Sequence, residues 1–326
     1  MPTPTMAMSL PPWKIVMPDI VVTFFALGIL AGLARSDLQV PKAAYDTLSI
    51  LLMLTIGLKG GLALHGNLAW SLVPELLAVA LLGALIPLAC YPLLRHLVRL
   101  DQANSASIAA HYGSVSAGTF AVTLAYLESR GLAAAPQTTL YLVLMELPAI
   151  VVAIVLYRRL SRVAGGPAAV LHEAFTSRGV ILLAGGVVIG YLYGAERAES
   201  VAPLFFTAFK GLLALFLLEM GLCTAKCLRP FPWQHWRLIV FALAAPFALA
   251  FAGAAMGHIM GMSAGSALIL ATLTASASYI AAPAAIRSAI VEADIGLALF
   301  VSLGITFPFN VTVGIPLYHR LVQWMG

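Results

Sequence analysis

Charge is scarce in this chain. Asp, Glu, Lys and Arg together make up 10% of its 326 residues, where a soluble domain carries about 25%. So little charge cannot clothe a water-facing surface of this size, which excludes an ordinary soluble enzyme. Acidic residues are the rarer sign, 13 against 18 basic, leaving a formal net charge of +5. That surplus needs no nucleic acid to explain it and is better tested as membrane orientation. Cysteine is rarer still. Cys90, Cys223 and Cys227 cannot build a disulfide framework, and one Cys-x-x-x-Cys pair without matching ligands is a poor zinc site. The opening "MPTPTMAMSLPPWK" has no basic n-region followed by an apolar h-region and small-residue cleavage site, so no removable leader is expected. Catalytic motifs are missing too. "GMSAG" (261–265) fits Gly-x-Ser-x-Gly but falls between membrane helices rather than on a strand-turn-helix elbow. "HEAFT" (172–176) has no second His for zinc, and no Gly-x-x-x-x-Gly-Lys loop occurs. Uphill work by such a chain has to draw on an ion gradient or a partner.

What the chain has in abundance is apolar sequence: 61% of its residues are hydrophobic, with a mean hydropathy of +0.98. A spanning helix needs about 20 apolar residues. On that basis the segments near 17–34, 44–64, 71–94, 105–127, 138–157, 179–195, 204–225, 237–259, 265–289 and 296–318 are predicted to cross an inner (plasma) membrane, the rest being loops. Of the 18 Lys and Arg, twelve fall in connections after odd-numbered segments (Arg35, Lys42, Arg95, Arg99, Arg158, Arg159, Arg162, Arg178, Lys226, Arg229, Arg237, Arg287). Basic loops stay cytoplasmic. Both termini are therefore expected on the periplasmic or extracellular side.

The segments also repeat. "LTIGLKGGL" (54–62) aligns with "LLEMGLCTA" (217–225), setting Gly57-Leu58 over Gly221-Leu222. "GSVSAGTFAV" (113–122) aligns with "ASASYIAAPA" (275–284), placing Ser114 over Ser276 and Ser116 over Ser278. "MELPAIVVAIVLYRRL" (145–160) aligns with "ITFPFNVTVGIPLYHRL" (305–321), with Pro148 over Pro308. Five helices per half is an odd number, so the second half must enter from the opposite face as an inverted repeat. The expected division is a first repeat over 1–160, a cytoplasmic linker over 161–178 and a second repeat over 179–326.

Within that plan the run "GSVSAGTFAV" gains a purpose. Taken alone, small residues in a membrane helix read as a packing seam. Duplicated in an inverted mate, Gly113, Ser114, Ser116, Gly118 and Thr119 read as one helix break, and "TASASYIAAP" (274–283) as its partner. Backbone broken inside hydrocarbon is tolerated only where protein or a polar cavity satisfies it. Two such breaks that cross would point two half-helix N-termini at one volume and make an anion site. Glu146, just before Pro148, is a carboxylate near mid-helix, and such a group marks function or pairing. With the carbonyls freed by Pro148, with hydroxyls, and with Thr306 and Asn310 from the second repeat, it offers an all-oxygen site for a small hard cation. Glu219, Lys59 and Lys210 read as snorkelling or structural pairs, Asp19 and Glu75 as interfacial, and His111 equally as pathway lining or packing.

In their order along the chain "LTIGLKGGLAL" (54–64), "GSVSAGTFAVTLAYLE" (113–128), "MELPAIVVAIVLY" (145–157), "LLEMGLCTA" (217–225) and "TASASYIAAPAAIRSAI" (274–290) resemble the sodium-dependent bicarbonate transporters of the cyanobacterial type, the SbtA-like permeases. The resemblance implies an all-α integral membrane fold: ten helices as a 5+5 inverted repeat with two broken, crossing helices. A core domain of helices three to five and eight to ten would move against a gate domain of helices one, two, six and seven. It also implies Na+-coupled bicarbonate uptake by a homotrimer in membrane lipid, with a PII-like cytosolic regulator as a further partner. Carried onto this chain, it places substrate and cation at Gly113, Ser114, Ser116, Ala117, Gly118, Thr119, Ser276, Ser278, Tyr279 and Ile280. The cation would be held by Glu146, Ser116, Ser278, Thr306 and Asn310, with no other cofactor. Two positions differ, for Tyr279 and Glu146 stand where cyanobacterial members carry Asp, and the central linker is shorter. The expected function is import of bicarbonate with Na+. Carriage of another small monocarboxylate, coupling to protons through Glu146, and a non-transporting sensor or scaffold are the alternatives.

Overall fold

In hydrocarbon every backbone polar group must be satisfied within the protein, and a helix does this locally. The computed structural model describes residues 20–67, 69–161, 176, 178–229 and 231–326, and among these no strand occurs. The helices are α1 (Ile20–Leu33), α2 (Lys42–Leu64), α3 (Trp70–Val98), α4 (Gln102–Gly113), α5 (Ala117–Ser129) and α6 (Thr138–Ser161). After them come α7 (Arg178–Ala198), α8 (Phe209–Cys227), α9 (Trp236–Ile259), α10 (Ala264–Thr274), α11 (Ala281–Ala289) and α12 (Ile295–Met325). Among the described residues six helices, α2, α3, α6, α7, α9 and α12, are long and apolar enough to cross a membrane. Except for Ser161, Thr176 and Arg178, the linker expected over 161–178 lies outside the described residues, as do Lys14 and Asp19.

The helices pack as two groups. In one, α2 lies along α7 and α1 along α8, with α2 also touching α8. Glycines set these crossings. A Cβ on Gly57 would stand 3.0 Å from the Gly186 Cα, and one on Gly28 would stand 3.0 Å from the Gly221 Cα. Bare glycines let backbones approach until dispersion contacts close the seam, because hydrocarbon offers no hydrophobic drive between helices. In the other group α3 packs on α6, α4 on both, and α9 and α12 pack on α10. The short helices α4, α5, α10 and α11 run through its interior, where nearly every residue from Ala103 to Val122 is buried.

The last apolar segment reaches further than the stretch expected near 296–318. It extends to Met325 and carries wide π turns over Phe300–Thr306 and Asn310–Gly314, on either side of Phe307–Phe309. Prolines explain the widening: Pro308 and Pro316 lack the N–H that the carbonyls of Gly304 and Thr312 would accept from, so the ladder shifts register.

Candidate functional site

Two helix breaks meet in the middle of the second group. α4 stops at Gly113 because Ser114, at φ −86 and ψ 104, and Ser116, at φ −102 and ψ 115, are extended. Ser116 then caps α5: its Oγ accepts from the Thr119 N–H at 3.1 Å and from the Thr119 hydroxyl at 3.0 Å. α10 stops at Thr274, residues 275–280 are non-helical, and α11 starts at Ala281 with the Ser278 Oγ accepting from the Ala282 N–H at 3.2 Å. The two breaks are tied to each other. The Ser116 N–H donates to the Ser276 Oγ at 2.9 Å, and the Ser278 N–H donates to the His111 carbonyl at 2.7 Å.

The first N–H groups of a helix have no acceptor within it. At α5 the Ser116 and Thr119 N–H groups are engaged, which leaves those of Ala117 and Gly118. At α11 the Ala282 N–H is engaged and Pro283 has none, which leaves Ile280 and Ala281. These four residues face small cavities. One, of about 10 Å³, is lined by Ser116, Ala117, Glu146, Ser278, Tyr279, Ile280 and Ala281 together with Met53 and Val115. A second of the same size sits beside it, lined by Ser49, Leu52, Met53, Ala117, Gly118, Phe216 and Ile280. Each has room for about one water molecule.

Glu146 is 3% exposed, and its Oε1 has no hydrogen-bond partner among the described residues. That oxygen would lie 3.0 Å from a Cβ on Gly179, so it abuts the first turn of α7, whose helix dipole is positive there. Tyr279 lines the first cavity: its hydroxyl reaches Gly118 so closely that any Cβ there would overlap it, while its ring stands edge-on to Phe307 at 5.2 Å.

Other residues singled out from the sequence stand apart from the cavities. Thr306 is bonded to Tyr112 at 2.6 Å and to the Ala242 carbonyl at 3.0 Å. Asn310 donates to the Ala275 carbonyl at 2.8 Å and accepts from the Tyr318 hydroxyl at 2.7 Å, so it braces the second break from behind. Gly113 packs on Pro87 and Ala149, and Ser114 is buried at the end of α4 with no partner for its Oγ among the described residues. Ser276 donates to the Leu273 carbonyl at 2.8 Å while accepting from Ser116. Lys210 pairs with Glu128 at 3.3 Å, and the Lys59 ammonium lies 4.2 Å from the centre of the Phe209 ring. Glu75 accepts from Gln137 and from the Tyr141 hydroxyl. His111 is fully buried, with Nδ1 against the Ser107 carbonyl at 2.7 Å. Glu219 accepts from the Cys223 thiol at 3.3 Å. Met53, Ser49 and Leu52 of α2, and Phe216 of α8, are cavity residues that the sequence reading missed, because ordinary residues on an apolar helix carry no local signal.

Residues 20–323 match the family described as the Na+-dependent bicarbonate transporter superfamily. No curated protein matches the chain.

Proposed function

The chain belongs to the Na+-dependent bicarbonate transporter superfamily, and from that membership we propose that it imports bicarbonate by symport with Na+, binding the anion between the N-termini of α5 and α11. It is a multi-pass membrane protein and a transporter rather than an enzyme. The observation that carries the reading is the set of N–H groups on Ala117, Gly118, Ile280 and Ala281 that have no acceptor among the described residues, all beside two adjoining cavities. Donors of this kind, backed by two helix dipoles, suit a small oxyanion. Ser116 suits it as well. Its Oγ accepts twice from Thr119, which directs its own O–H toward the cavity that it lines with Tyr279. A four-heavy-atom anion exceeds a one-water cavity, so Tyr279 has to swing away from Gly118 for substrate to enter.

The cation belongs with Glu146. An ionised carboxylate at mid-helix costs about 2.5–3.5 kcal/mol, and Na+ held by Glu146 and the Ser278 hydroxyl would offset that cost and the anion's charge together. Since Thr306 and Asn310 are engaged elsewhere, their part is to brace the break. A protonated Glu146 would also account for its unpartnered oxygen, which makes proton coupling the second reading.

The proposed architecture is a 5+5 inverted repeat over 1–160 and 179–326, joined by a cytoplasmic linker at 161–178, with both termini outward. The glycine crossings support it. If α1 corresponds to α7 and α2 to α8, the Gly57–Gly186 approach of α2 on α7 and the Gly221–Gly28 approach of α8 on α1 are one contact seen twice. The group α1, α2, α7 and α8 is then the gate and the other helices the core, assembled as a homotrimer and open to a PII-like regulator on the cytoplasmic side. Uptake of labelled bicarbonate into proteoliposomes tests the function. Accumulation that requires an inward Na+ gradient supports symport, acceleration at lower external pH without Na+ supports the second reading, and no uptake overturns both.

A further inference from the structure

Two cavities on the flank of α3 and α9 run into one another. The first is an apolar groove of about 420 Å³, floored by Leu93, Leu97, Val240, Phe241, Ala244 and Ala248. The second, of about 470 Å³, opens at the helix ends, where Arg99, His235 and Arg237 meet Asp101 and Asp294. Val98, Trp236 and Arg237 line both, so the apolar groove ends at a charged mouth in which two arginines and a histidine stand beside two aspartates.

The charges in the mouth are not equivalent. Asp101 caps α4, accepting from the Asn104 backbone N–H at 2.8 Å and from its side-chain amide at 2.6 Å. Asp294 caps α12 by accepting from the Leu297 N–H at 3.1 Å. Both carboxylates are occupied with local donors. The Arg99 and His235 side chains make no hydrogen bond or ion pair among the described residues, and the Arg237 guanidinium lies 5.4 Å from the centre of the Trp236 ring. Trp236, 58% exposed, lines the mouth, and Trp233, 73% exposed, precedes it by three residues in the chain. Exposed tryptophans mark the headgroup level of a membrane protein, so the mouth lies at the membrane boundary and the groove at acyl-chain depth.

We propose that this paired cavity binds one anionic glycerophospholipid, its phosphate on Arg99, Arg237 and His235 and an acyl chain along α9 in the groove. Arginine forks match phosphate oxygens in geometry and charge. Basic pockets between membrane helices recognise anionic headgroups for this reason. A soluble phosphate would leave the groove without use. A zwitterionic lipid would bring its own cation up to two arginines.

Native mass spectrometry of the purified protein, with thermal unfolding alongside, tests the proposal without reference to transport. Phosphatidylglycerol is expected to be retained at least tenfold more than phosphatidylcholine of the same chains and to raise the Tm, while glycerol 3-phosphate does neither. The double variant Arg99→Gln/Arg237→Gln should lose that retention about tenfold. Ala248→Trp, on the exposed face of α9, fills the groove and should lose it independently of charge. Equal retention of both lipids, binding of glycerol 3-phosphate alone, or unchanged retention in both variants would overturn the proposal. So would a change of oligomeric state in Ala248→Trp with lipid retention intact, which would assign the groove to a second copy of the chain.

Discussion

Gly118 and Tyr279 constrain each other beside the cavities, since the hydroxyl of Tyr279 occupies the space a side chain on Gly118 would need. Gly118→Ala is therefore expected to cut bicarbonate uptake about tenfold, a loss of ~1.4 kcal/mol. Tyr279→Phe removes the overlapping oxygen and should restore part of it in the double variant. A double-mutant cycle in which the two losses simply add would show that the residues act separately. Glu146 poses a different question, one of charge. Glu146→Gln keeps size and hydrogen bonding, so under sodium coupling it should raise the Na+ concentration needed for half-maximal uptake while leaving the response to external pH small. Under proton coupling the unmodified protein would run without Na+ and quicken as pH falls at fixed bicarbonate, and the Gln variant would lose that response. Uptake that ignores both ions would make Glu146 a structural residue.

Helices in this fold are held by seams of small residues, and the seams differ in how much they tolerate. A Cβ on Gly57 would press on the Leu183 carbonyl and the Gly186 Cα, backbone atoms that cannot swing aside. Gly57→Val should destabilise the α2–α7 pair by about 1–3 kcal/mol, the usual cost of overpacking, read as a lower Tm in detergent. Gly185 and Gly211 lie in helices with nothing within 4 Å of an added Cβ. Gly185→Ala and Gly211→Ala should be neutral or stabilising by about 0.5–1 kcal/mol, since glycine weakens a helix interior. Equal losses at Gly57 and Gly185 would show that the crossing does not depend on close backbone approach.

For the whole molecule the decisive quantity is orientation. The twelve-to-six distribution of Lys and Arg predicts that a tag at either terminus is reached by an impermeant reagent from outside intact cells, and that a cysteine placed in the 161–178 linker is not. A C-terminus labelled only after permeabilisation would remove the inverted repeat, because an odd number of helices per half and two outward termini stand or fall together. The same labelling bears on the two helix groups. If one slides against the other, probes on the exposed rim of α2 should change accessibility when Na+ and bicarbonate are both supplied.

Membership of the membrane class, the six long apolar helices and the two interruptions at 114–116 and 275–280 were legible in the sequence. Each rests on a one-dimensional signal: run length, lack of charge, and small residues clustered where a helix would otherwise continue. Ser116 and Ser278, which line one cavity, were singled out by aligning two stretches of the sequence. What each side chain meets across the molecule was not legible. Thr306 and Asn310 carry suitable oxygens in the sequence, yet Ala242, Tyr112, Ala275 and Tyr318 engage them. Ser49, Met53 and Phe216 look like any lining of an apolar helix, and only the docking of α2 and α8 against the breaks brings them to the cavities. The charged mouth beside α9 likewise joins Arg99 to Arg237 across 138 positions of chain. Local composition decides which segments leave water. Only packing decides which polar groups keep a free donor or acceptor once they have left it.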